Sequence, residues 1–187
     1  MPEYSFIEID EPEDWIIAES VMKKNILSNS NLDFSNVKIF LSDVDGVMTD
    51  GGMYYTDNGD EFKKFCTHDG MGMKILQKSG VKVGILTSED IDLNRRRAKK
   101  LKLDFDFHGV KDKLKIVKDL CASENITLNE VAYIGDDVNC FELLSNVGIA
   151  ACPKNAVNKI KSIPNIINLQ KNGGDGVVRE FVELILS

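Results

Sequence analysis

The sequence predicts an α/β fold, a Rossmann-like three-layer sandwich with a mostly parallel sheet. From residue 37 onward, short runs of β-branched and apolar residues alternate with amphipathic stretches, which is typical of βαβ units. Polar residues that can take part in catalysis or binding follow several of these apolar runs, at the end where parallel sheets bind ligands. The length of 187 residues fits one globular domain with a short appendage.

Six apolar runs are predicted to be strands, and six stretches with helical spacing of apolar residues are predicted to be helices. The strands are expected at 38–42, 81–86, 105–107, 131–134, 148–151 and 166–168, and the helices at 70–79, 92–101, 113–124, 140–145, 156–162 and 175–186. Residues 53–64 predict a small β-hairpin, because the dipeptide Asn58-Gly59 suits a tight turn with positive φ. The hairpin would follow the first strand of the sheet directly.

The first 36 residues have a different character, so we predict a boundary there: an N-terminal segment at 1–36 and the main domain at 37–187. The segment begins with a strand-like stretch and continues with an amphipathic helix through Met22. That helix has acidic residues and Pro12 near its start, which fit its geometry and dipole. A polar linker rich in Asn and Ser, at 25–36, would connect it to the main domain.

The composition excludes several classes of function. The chain has 23 Lys and Arg against 30 Asp and Glu, a formal net charge of −7, which disfavours binding of nucleic acid or an acidic membrane. No apolar run reaches the roughly 20 residues that span a bilayer, and the N-terminus lacks the pattern of a signal peptide, so a cytoplasmic location is expected. The four cysteines and two histidines form no zinc-ligand pattern, and reduced thiols are expected.

Two carboxylates mark the end of the first predicted strand of the main domain. Asp43 and Asp45 stand one residue apart, and a turn at Gly46 can direct both into one pocket. Two acids so close repel each other unless a cation binds between them. Oxygen ligands of this kind suit Mg²⁺. Solvated aspartates at a strand end are the alternative interpretation.

Polar residues follow three other strands at the same predicted sheet edge. Thr87 and Ser88 follow the second strand, Lys113 opens a helix, and the pair Asp136 and Asp137 follows the fourth strand. A hydroxyl group, a lysine and a further acidic pair are what phosphoryl transfer requires for positioning and charge stabilisation. Taken singly, each has a common structural explanation: Thr87 as a cap, Lys113 as a solvated helix residue, and the acidic pair as part of a turn.

Together, the order and context of these residues resemble the haloacid dehalogenase superfamily of phosphatases. The resemblance implies that Asp43 is the nucleophile forming an aspartyl-phosphate and that Asp45 is the acid/base. It also implies that Thr87 and Lys113 bind the phosphoryl group. Asp136, with Asp43 and the backbone carbonyl of Asp45, would hold Mg²⁺, and Asp137 would orient Lys113 or a metal-bound water.

A finer resemblance rests on three motifs and on the hairpin that replaces a cap domain. The motifs are DVDGVMTDG at 43–51, DGMG at 69–72 and GGDGVVRE at 173–180. They are similar to those of phosphatases acting on 3-deoxy-octulosonate 8-phosphate and related nine-carbon sugar acids. That family implies a homotetramer in which the hairpin covers the neighbour's site, and substrate contacts from Lys63 and Asp69 and from Arg179 in the tail.

The residues after Thr87 indicate a branch of this family. The eight-carbon enzymes usually carry Gly-Arg there, whereas this chain has Ser88 and Glu89, with Arg97 and Lys100 further along the next helix. This pattern resembles the branch acting on 2-keto-3-deoxynononate 9-phosphate or N-acylneuraminate 9-phosphate, with these four residues contacting substrate. An enzyme for 3-deoxy-octulosonate 8-phosphate remains the alternative.

Two positions depart from the family pattern. Ser88 replaces the usual glycine, which adds a side chain where the backbone approaches phosphate. Cys140 replaces an acidic residue and could weaken support for the metal ion.

Residues 9–19, IDEPEDWIIAE, resemble the end of acylneuraminate cytidylyltransferases, which activate sialic acids with CTP. This implies the phosphatase part of a bifunctional protein. A non-catalytic module that tetramerises a cytidylyltransferase is a rival interpretation, although the complete set of catalytic residues disfavours it. A phospho-accepting receiver module is disfavoured by the order of its motifs, and a dinucleotide site at Gly70 and Gly72 lacks a third glycine.

Overall fold

The computed structural model describes residues 14–15 and 33–187. Asp14 and Trp15 are helical. Residues 1–13 and 16–32 lie outside the described residues, and with them most of the predicted N-terminal segment and most of the linker. Residues 34–187 form one compact unit.

A six-stranded parallel sheet forms the centre of this unit. Its strands are β1 Ile39–Ser42, β4 Lys82–Leu86, β5 Phe105–Phe107, β6 Val131–Ile134, β7 Ile149–Cys152 and β8 Ile167–Asn168. They lie in the order β5-β4-β1-β6-β7-β8. All four residues of β1 are buried, and so are all four of β6. Burial on both faces explains why these strands are continuous apolar runs without alternation. The predicted parallel α/β sandwich is confirmed.

Helices cover both faces of the sheet. They are α1 Thr67–Lys78, α2 Asp92–Leu101, α3 Lys113–Glu124, α4 Phe141–Leu144, α5 Asn158–Lys161 and α6 Val177–Ile185. On one face, Ile39 and Leu41 belong to a buried cluster with residues of α3 and α4. On the other face, the Phe40 ring lies 5.7 Å from the ring of Phe181 in α6. Alternate residues of β1 therefore pack against the helices on opposite faces of the sheet.

The predicted hairpin is present as an antiparallel pair, β2 Tyr54–Tyr55 and β3 Glu61–Phe62. Its turn contains Gly59 at φ 85°, which is the backbone conformation that the Asn-Gly dipeptide predicts. The hairpin stands between β1 and α1, where a cap domain would otherwise be inserted.

Four helices, α1, α4, α5 and α6, differ from their predicted bounds by one to three residues, and glycines lie near the starts of two of them, α1 and α6. The helix α1 begins at Thr67, three residues before the predicted start, and includes Gly70 and Gly72. A Cβ at Gly72 would lie 3.0 Å from Cδ of Arg179, so this glycine lets α6 pack closely on α1. The helix α6 begins two residues late, since Gly176 adopts φ 94° immediately before it.

Among the residues that the structure describes, no helix is long and apolar enough to cross a membrane.

Candidate active site

A polar cleft lies at the carboxyl ends of β1, β4 and β6. Three loops supply its lining, each directly after one of these strands, which places their side chains at one edge of the sheet. The lining residues are Asp43, Asp45, Gly46, Gly51, Thr87, Ser88, Glu89, Asp136, Asp137 and Asn139.

Asp43 forms a buried ion pair at the base of this cleft. Its Oδ2 atom lies 2.5 Å from Nζ of Lys113, and Oδ1 accepts a 2.8 Å hydrogen bond from the backbone N–H of Val44. Asp43 is 4% exposed and Lys113 is 2% exposed. Burial is the largest single influence and lowers the pKa of Lys113, but the attractions and hydrogen bonds of its partners, Asp43 foremost, together outweigh burial and raise that pKa above its usual value. Lys113 therefore remains a cation beside the carboxylate.

Asp45 stands at the mouth of the cleft and pairs with the hairpin. Its Oδ1 atom accepts a 2.6 Å hydrogen bond from Nζ of Lys63, whose side chain is only 1% exposed. Its Oδ2 atom is buried and has no hydrogen-bond partner in the part of the chain that the structure describes. Lys63 thus reaches the cleft of its own chain.

Gly46 allows the turn that brings the acidic loops together. It adopts φ 76°, and a Cβ there would lie 1.9 Å from Oδ2 of Asp136. On the other side, a Cβ at Gly173 would lie 1.9 Å from the carbonyl oxygen of Gly46. The glycines at 173 and 174 of the tail motif therefore pack directly against the loop that follows β1.

Asp136 has the most perturbed carboxyl group of the cleft. Burial, with repulsion from Asp43 and Asp137, raises its pKa to about 7. Ligand atoms of Asp43, Asp136 and Cys140 all lie within 4.8 Å of one another. The two carboxylates offer the hard oxygen ligands that Mg²⁺ prefers, and a cation between them would relieve their repulsion. The residues present therefore fit a divalent metal ion.

The loops after β4 and β6 are linked across the cleft. Thr87 is 1% exposed, and its Oγ1 atom accepts a 3.2 Å hydrogen bond from the backbone N–H of Glu89. Ser88 accepts a 3.1 Å hydrogen bond at Oγ from Nδ2 of Asn139. Asp137 also lines the cleft. Its Oδ1 atom accepts a 2.6 Å hydrogen bond from the backbone N–H of Val138 and so caps a short 3₁₀ turn.

Five predicted substrate contacts do not line this cleft within one chain: Lys63, which touches it only through Asp45, and Asp69, Arg97, Lys100 and Arg179. Asp69 is fully buried, and burial raises its pKa to about 6. Its Oδ1 atom accepts a 2.9 Å hydrogen bond from the backbone N–H of Arg179, so it anchors the start of α6. The Arg179 side chain donates to Glu183, with Nε and Oε1 2.6 Å apart.

Arg97 and Lys100 both belong to α2, and neither side chain lines the cleft. The Arg97 guanidinium stacks over the Phe65 ring at 5.2 Å and donates to the carbonyl of Cys66 at 3.0 Å. Lys100 lines a separate surface depression with other lysines. Arg97 thereby supports the base of the hairpin.

Sequence reasoning missed two contributions to the site. Asn139 lines the cleft, and its place three residues after Asp136 was the available signal. Tyr133 lies inside β6, and its hydroxyl oxygen accepts a 3.2 Å hydrogen bond from Nζ of Lys113. A tyrosine within an apolar strand gives no sign that its hydroxyl group reaches an active site.

Comparisons with known proteins agree with this geometry. A sequence model of the haloacid dehalogenase-like hydrolases matches residues 87–181. The 3-deoxy-D-manno-octulosonate 8-phosphate phosphatase of Haemophilus influenzae is 33% identical over 151 residues, which cover 81% of this chain and 83% of that protein. The enzyme of the same name from Yersinia pestis is 34% identical over 152 residues, covering 81% of both chains.

Solved structures show the same fold. The 3-deoxy-D-manno-octulosonate 8-phosphate phosphatase of Moraxella catarrhalis, crystallised with magnesium, phosphate and the sugar acid, superposes with a TM-score of 0.79 at 34% identity, over 82% of this chain and 87% of that one. A hydrolase of subfamily III A from Legionella pneumophila gives a TM-score of 0.83 at 32% identity, over 88% and 91%.

The buried Asp43–Lys113 pair, the hairpin in the place of a cap domain and these similarities agree with one another. The relatives are named phosphatases, so the class of reaction is hydrolysis of a phosphoric monoester. The chain belongs to the haloacid dehalogenase-like hydrolases, as a cap-less phosphatase related to the 3-deoxy-D-manno-octulosonate 8-phosphate phosphatases.

Proposed function

We propose that this protein is a Mg²⁺-dependent phosphatase that removes the phosphate of a nonulosonic acid, 2-keto-3-deoxynononate 9-phosphate or N-acylneuraminate 9-phosphate. The observation that carries the proposed chemistry is the buried pair of Asp43 and Lys113 at the base of a cleft that also contains Asp45 and Asp136. The proposed substrate class rests on Ser88 and Glu89, which line the same cleft.

The residues of the chain supply the nucleophile and the acid/base for a two-step displacement. In the first step a carboxylate oxygen of Asp43 attacks phosphorus, the bond from phosphorus to the sugar oxygen breaks, and protonated Asp45 gives its proton to that oxygen. In the second step Asp45 takes a proton from water as the water oxygen attacks phosphorus. Phosphate leaves, the Asp43 carboxylate is restored, and Asp45 is protonated again.

Lys113 and Thr87 serve as phosphoryl ligands in this scheme. Lys113 is a buried cation beside the attacking group, and electrostatic stabilisation by such groups is strong in a site shielded from water. Asp43, Asp136 and the backbone carbonyl of Asp45 would hold Mg²⁺. The ion, when bound, supplies positive charge that offsets the charge of the phosphoryl group. Magnesium is present in the crystallised relative from Moraxella catarrhalis, and cobalt in one from Haemophilus influenzae.

The raised pKa of Asp136 predicts a pH dependence of metal binding. A cation binds the carboxylate form, and that form is a minority below the folded pKa of about 7. The affinity for Mg²⁺ should therefore rise by about tenfold from pH 6 to pH 8, measured by isothermal titration calorimetry without substrate.

The metal-free protein should show the opposite trend in stability. The folded pKa of Asp136 is raised above its unfolded value of 3.8, so its contribution to stability is full below pH 4 and is lost as pH rises through 7. Asp136→Asn should flatten both trends, whereas the exposed Asp119→Asn should leave them unchanged. Equal Mg²⁺ affinity at pH 6 and pH 8 in the wild type would contradict this role.

Glu89 supports the choice of a nine-carbon substrate. Its carboxylate can accept hydrogen bonds from the additional polyol or amide groups of a nine-carbon acid. We expect higher kcat/KM for the two nine-carbon phosphates than for 3-deoxy-octulosonate 8-phosphate. Glu89→Gln should reduce that preference by about tenfold, and its activity on a small aryl phosphate should change little.

The same assay tests the rival functions. The names of the curated relatives favour the eight-carbon substrate as the second candidate, and a preference for it would refute the nine-carbon proposal. Absence of Mg²⁺-dependent phosphate release from every substrate, the aryl phosphate included, would favour a non-catalytic tetramerisation module.

The hairpin supports a homotetramer in which each hairpin covers a neighbour's site. Met53, Tyr54, Tyr55 and Phe62 are between 48% and 65% exposed, and so small a hairpin leaves an apolar patch uncovered. Size-exclusion chromatography with light scattering should give four times the chain mass. Phe62→Asp should yield smaller species, while Leu186→Asp, at an exposed leucine outside the hairpin, should not. A monomeric wild type at micromolar concentration would contradict the shared site.

The proposal extends to a bifunctional protein that also activates the sugar acid with CTP, supported by the resemblance of residues 9–19. An antibody against residues 34–187 should detect a native protein larger than 20.9 kDa. A single native species of 20.9 kDa would contradict the fusion.

A further inference from the structure

Four polar side chains are packed together beneath the cleft, and two of them have no role in the scheme above. Tyr133 and Cys140 are fully buried, and Lys113 and Asp43 are at most 4% exposed. The Cys140 Sγ atom lies 2.9 Å from Oδ2 of Asp43, 3.1 Å from the Tyr133 hydroxyl oxygen and 3.3 Å from Nζ of Lys113. Cys140 is thus in direct contact with the proposed nucleophile.

The inventory of donors fixes the direction of every hydrogen bond in this cluster. Lys113 has three N–H donors and three partners, namely Oδ2 of Asp43, the Tyr133 hydroxyl and Sγ of Cys140. The Tyr133 hydroxyl accepts from the lysine, so its own proton points to Sγ. Cys140 has one S–H proton and two acceptors in reach, Oδ2 of Asp43 at 2.9 Å and Oδ1 of Asn139 at 3.4 Å, and the shorter contact assigns the proton to Asp43.

We propose that Cys140 and Tyr133 are positioning residues that hold Asp43 and Lys113 in the orientation required for attack on phosphorus. The inference rests on the proposed role of Asp43 as nucleophile. Three donors then fix its carboxylate: Lys113 and Cys140 at Oδ2, and the backbone N–H of Val44 at Oδ1. A carboxylate held from both oxygens cannot turn without losing a bond, and such preorganisation lowers the barrier of the chemical step.

The uncharged thiol also suits the charges of the cluster. Lys113 balances one negative charge, that of Asp43, and both side chains are buried. A carboxylate in place of Cys140 would add another negative charge between Asp43 and Asp136, whose carboxyl group already suffers from repulsion. The departure from the acidic residue of the family thus exchanges a charge for a neutral hydrogen-bond donor.

Substitutions that separate the hydrogen bond from the bulk of the side chain test this inference. Cys140→Ala removes the donor to Oδ2 and leaves the Tyr133 proton without an acceptor, so kcat should fall between about 10-fold and 100-fold while KM changes little. Cys140→Ser keeps a donor and an acceptor and should restore kcat to within about threefold of the wild type. Tyr133→Phe should lower kcat by about tenfold, and its combination with Cys140→Ala should be less than additive.

A second readout does not depend on turnover. Beryllofluoride with Mg²⁺ forms an adduct on a phospho-accepting aspartate, and ¹⁹F NMR can measure its formation. The adduct should bind at least fivefold more weakly to Cys140→Ala and normally to Cys140→Ser. The buried Cys121→Ser variant, whose thiol does not line the cleft, controls for loss of a core thiol and should match the wild type in both measurements.

The outcomes distinguish this inference from the proposed function. If Asp43→Asn retained full activity in the same assay, the proposed nucleophile would be wrong. If Asp43→Asn were inactive while Cys140→Ala kept full kcat and full adduct binding, the positioning role alone would be refuted. It would also be refuted if Cys140→Ser restored thermal stability but not kcat. Should Cys140→Ala fail to fold, Tyr133→Phe and Cys140→Ser test the positioning role instead. A normal kcat in Tyr133→Phe would overturn that role.

Discussion

Replacing Asp43 with asparagine is expected to reduce kcat by at least about 10⁴-fold in a phosphate-release assay with saturating Mg²⁺. The amide nitrogen is not a nucleophile, and the remaining amide oxygen carries no full negative charge. The amide oxygen in Asp43→Asn would still accept a hydrogen bond from Lys113, so the fold should persist and circular dichroism should match the wild type. The loss should appear with every substrate, since it concerns the reacting phosphoryl group and not the sugar.

The control for this substitution is Asp119→Asn, which removes an equal charge from the exposed side of α3. Its kcat should stay within about twofold of the wild type. An Asp43→Asn variant that kept even a tenth of wild-type kcat would contradict covalent catalysis by this residue.

Lys113→Met should impair both stability and catalysis. The substitution leaves the Asp43 carboxylate buried without its cation, and breaking a buried ion pair in this way lowers the free energy of unfolding by about 3–5 kcal/mol. Loss of the charge that stabilises the phosphoryl group should lower kcat by about 10³-fold. Urea denaturation and steady-state kinetics measure the two effects.

A double substitution separates these effects. The pair Asp43→Asn with Lys113→Met removes both charges, so it should be more stable than Lys113→Met alone, although it stays inactive. If the single Lys113→Met variant were as stable as the wild type, the buried ion pair would have no part in holding the site together.

Much of the fold followed from local patterns. The strands 105–107 and 131–134 and the helices 92–101 and 113–124 have the predicted bounds, because the apolar period marks them locally. The polar residues that line the cleft lie directly after strands, and the topology of a parallel sheet brings all such ends to one edge. A strand end is therefore a position that the sequence can place in space.

Helix residues were harder to place. Asp69, Arg97 and Arg179 were predicted at the substrate, but within one chain Asp69 holds the start of α6 and Arg97 supports the hairpin. Apolar spacing indicates which side of a helix is buried, but the neighbour that a given polar side chain contacts depends on packing between segments far apart in sequence. For the same reason the contact between Cys140 and Asp43, 97 residues apart, could not be predicted.

The most direct test of the central claim is to trap the covalent intermediate. The wild type should be mixed with substrate and Mg²⁺, quenched in the first turnover and treated with borohydride, which reduces an acyl phosphate on aspartate to homoserine. Mass spectrometry of the peptide containing residues 43 and 45 then locates the change. We predict homoserine at position 43 in the wild type and none in Asp43→Asn. Homoserine at another position, or none at all during full phosphate release, would contradict the proposed mechanism.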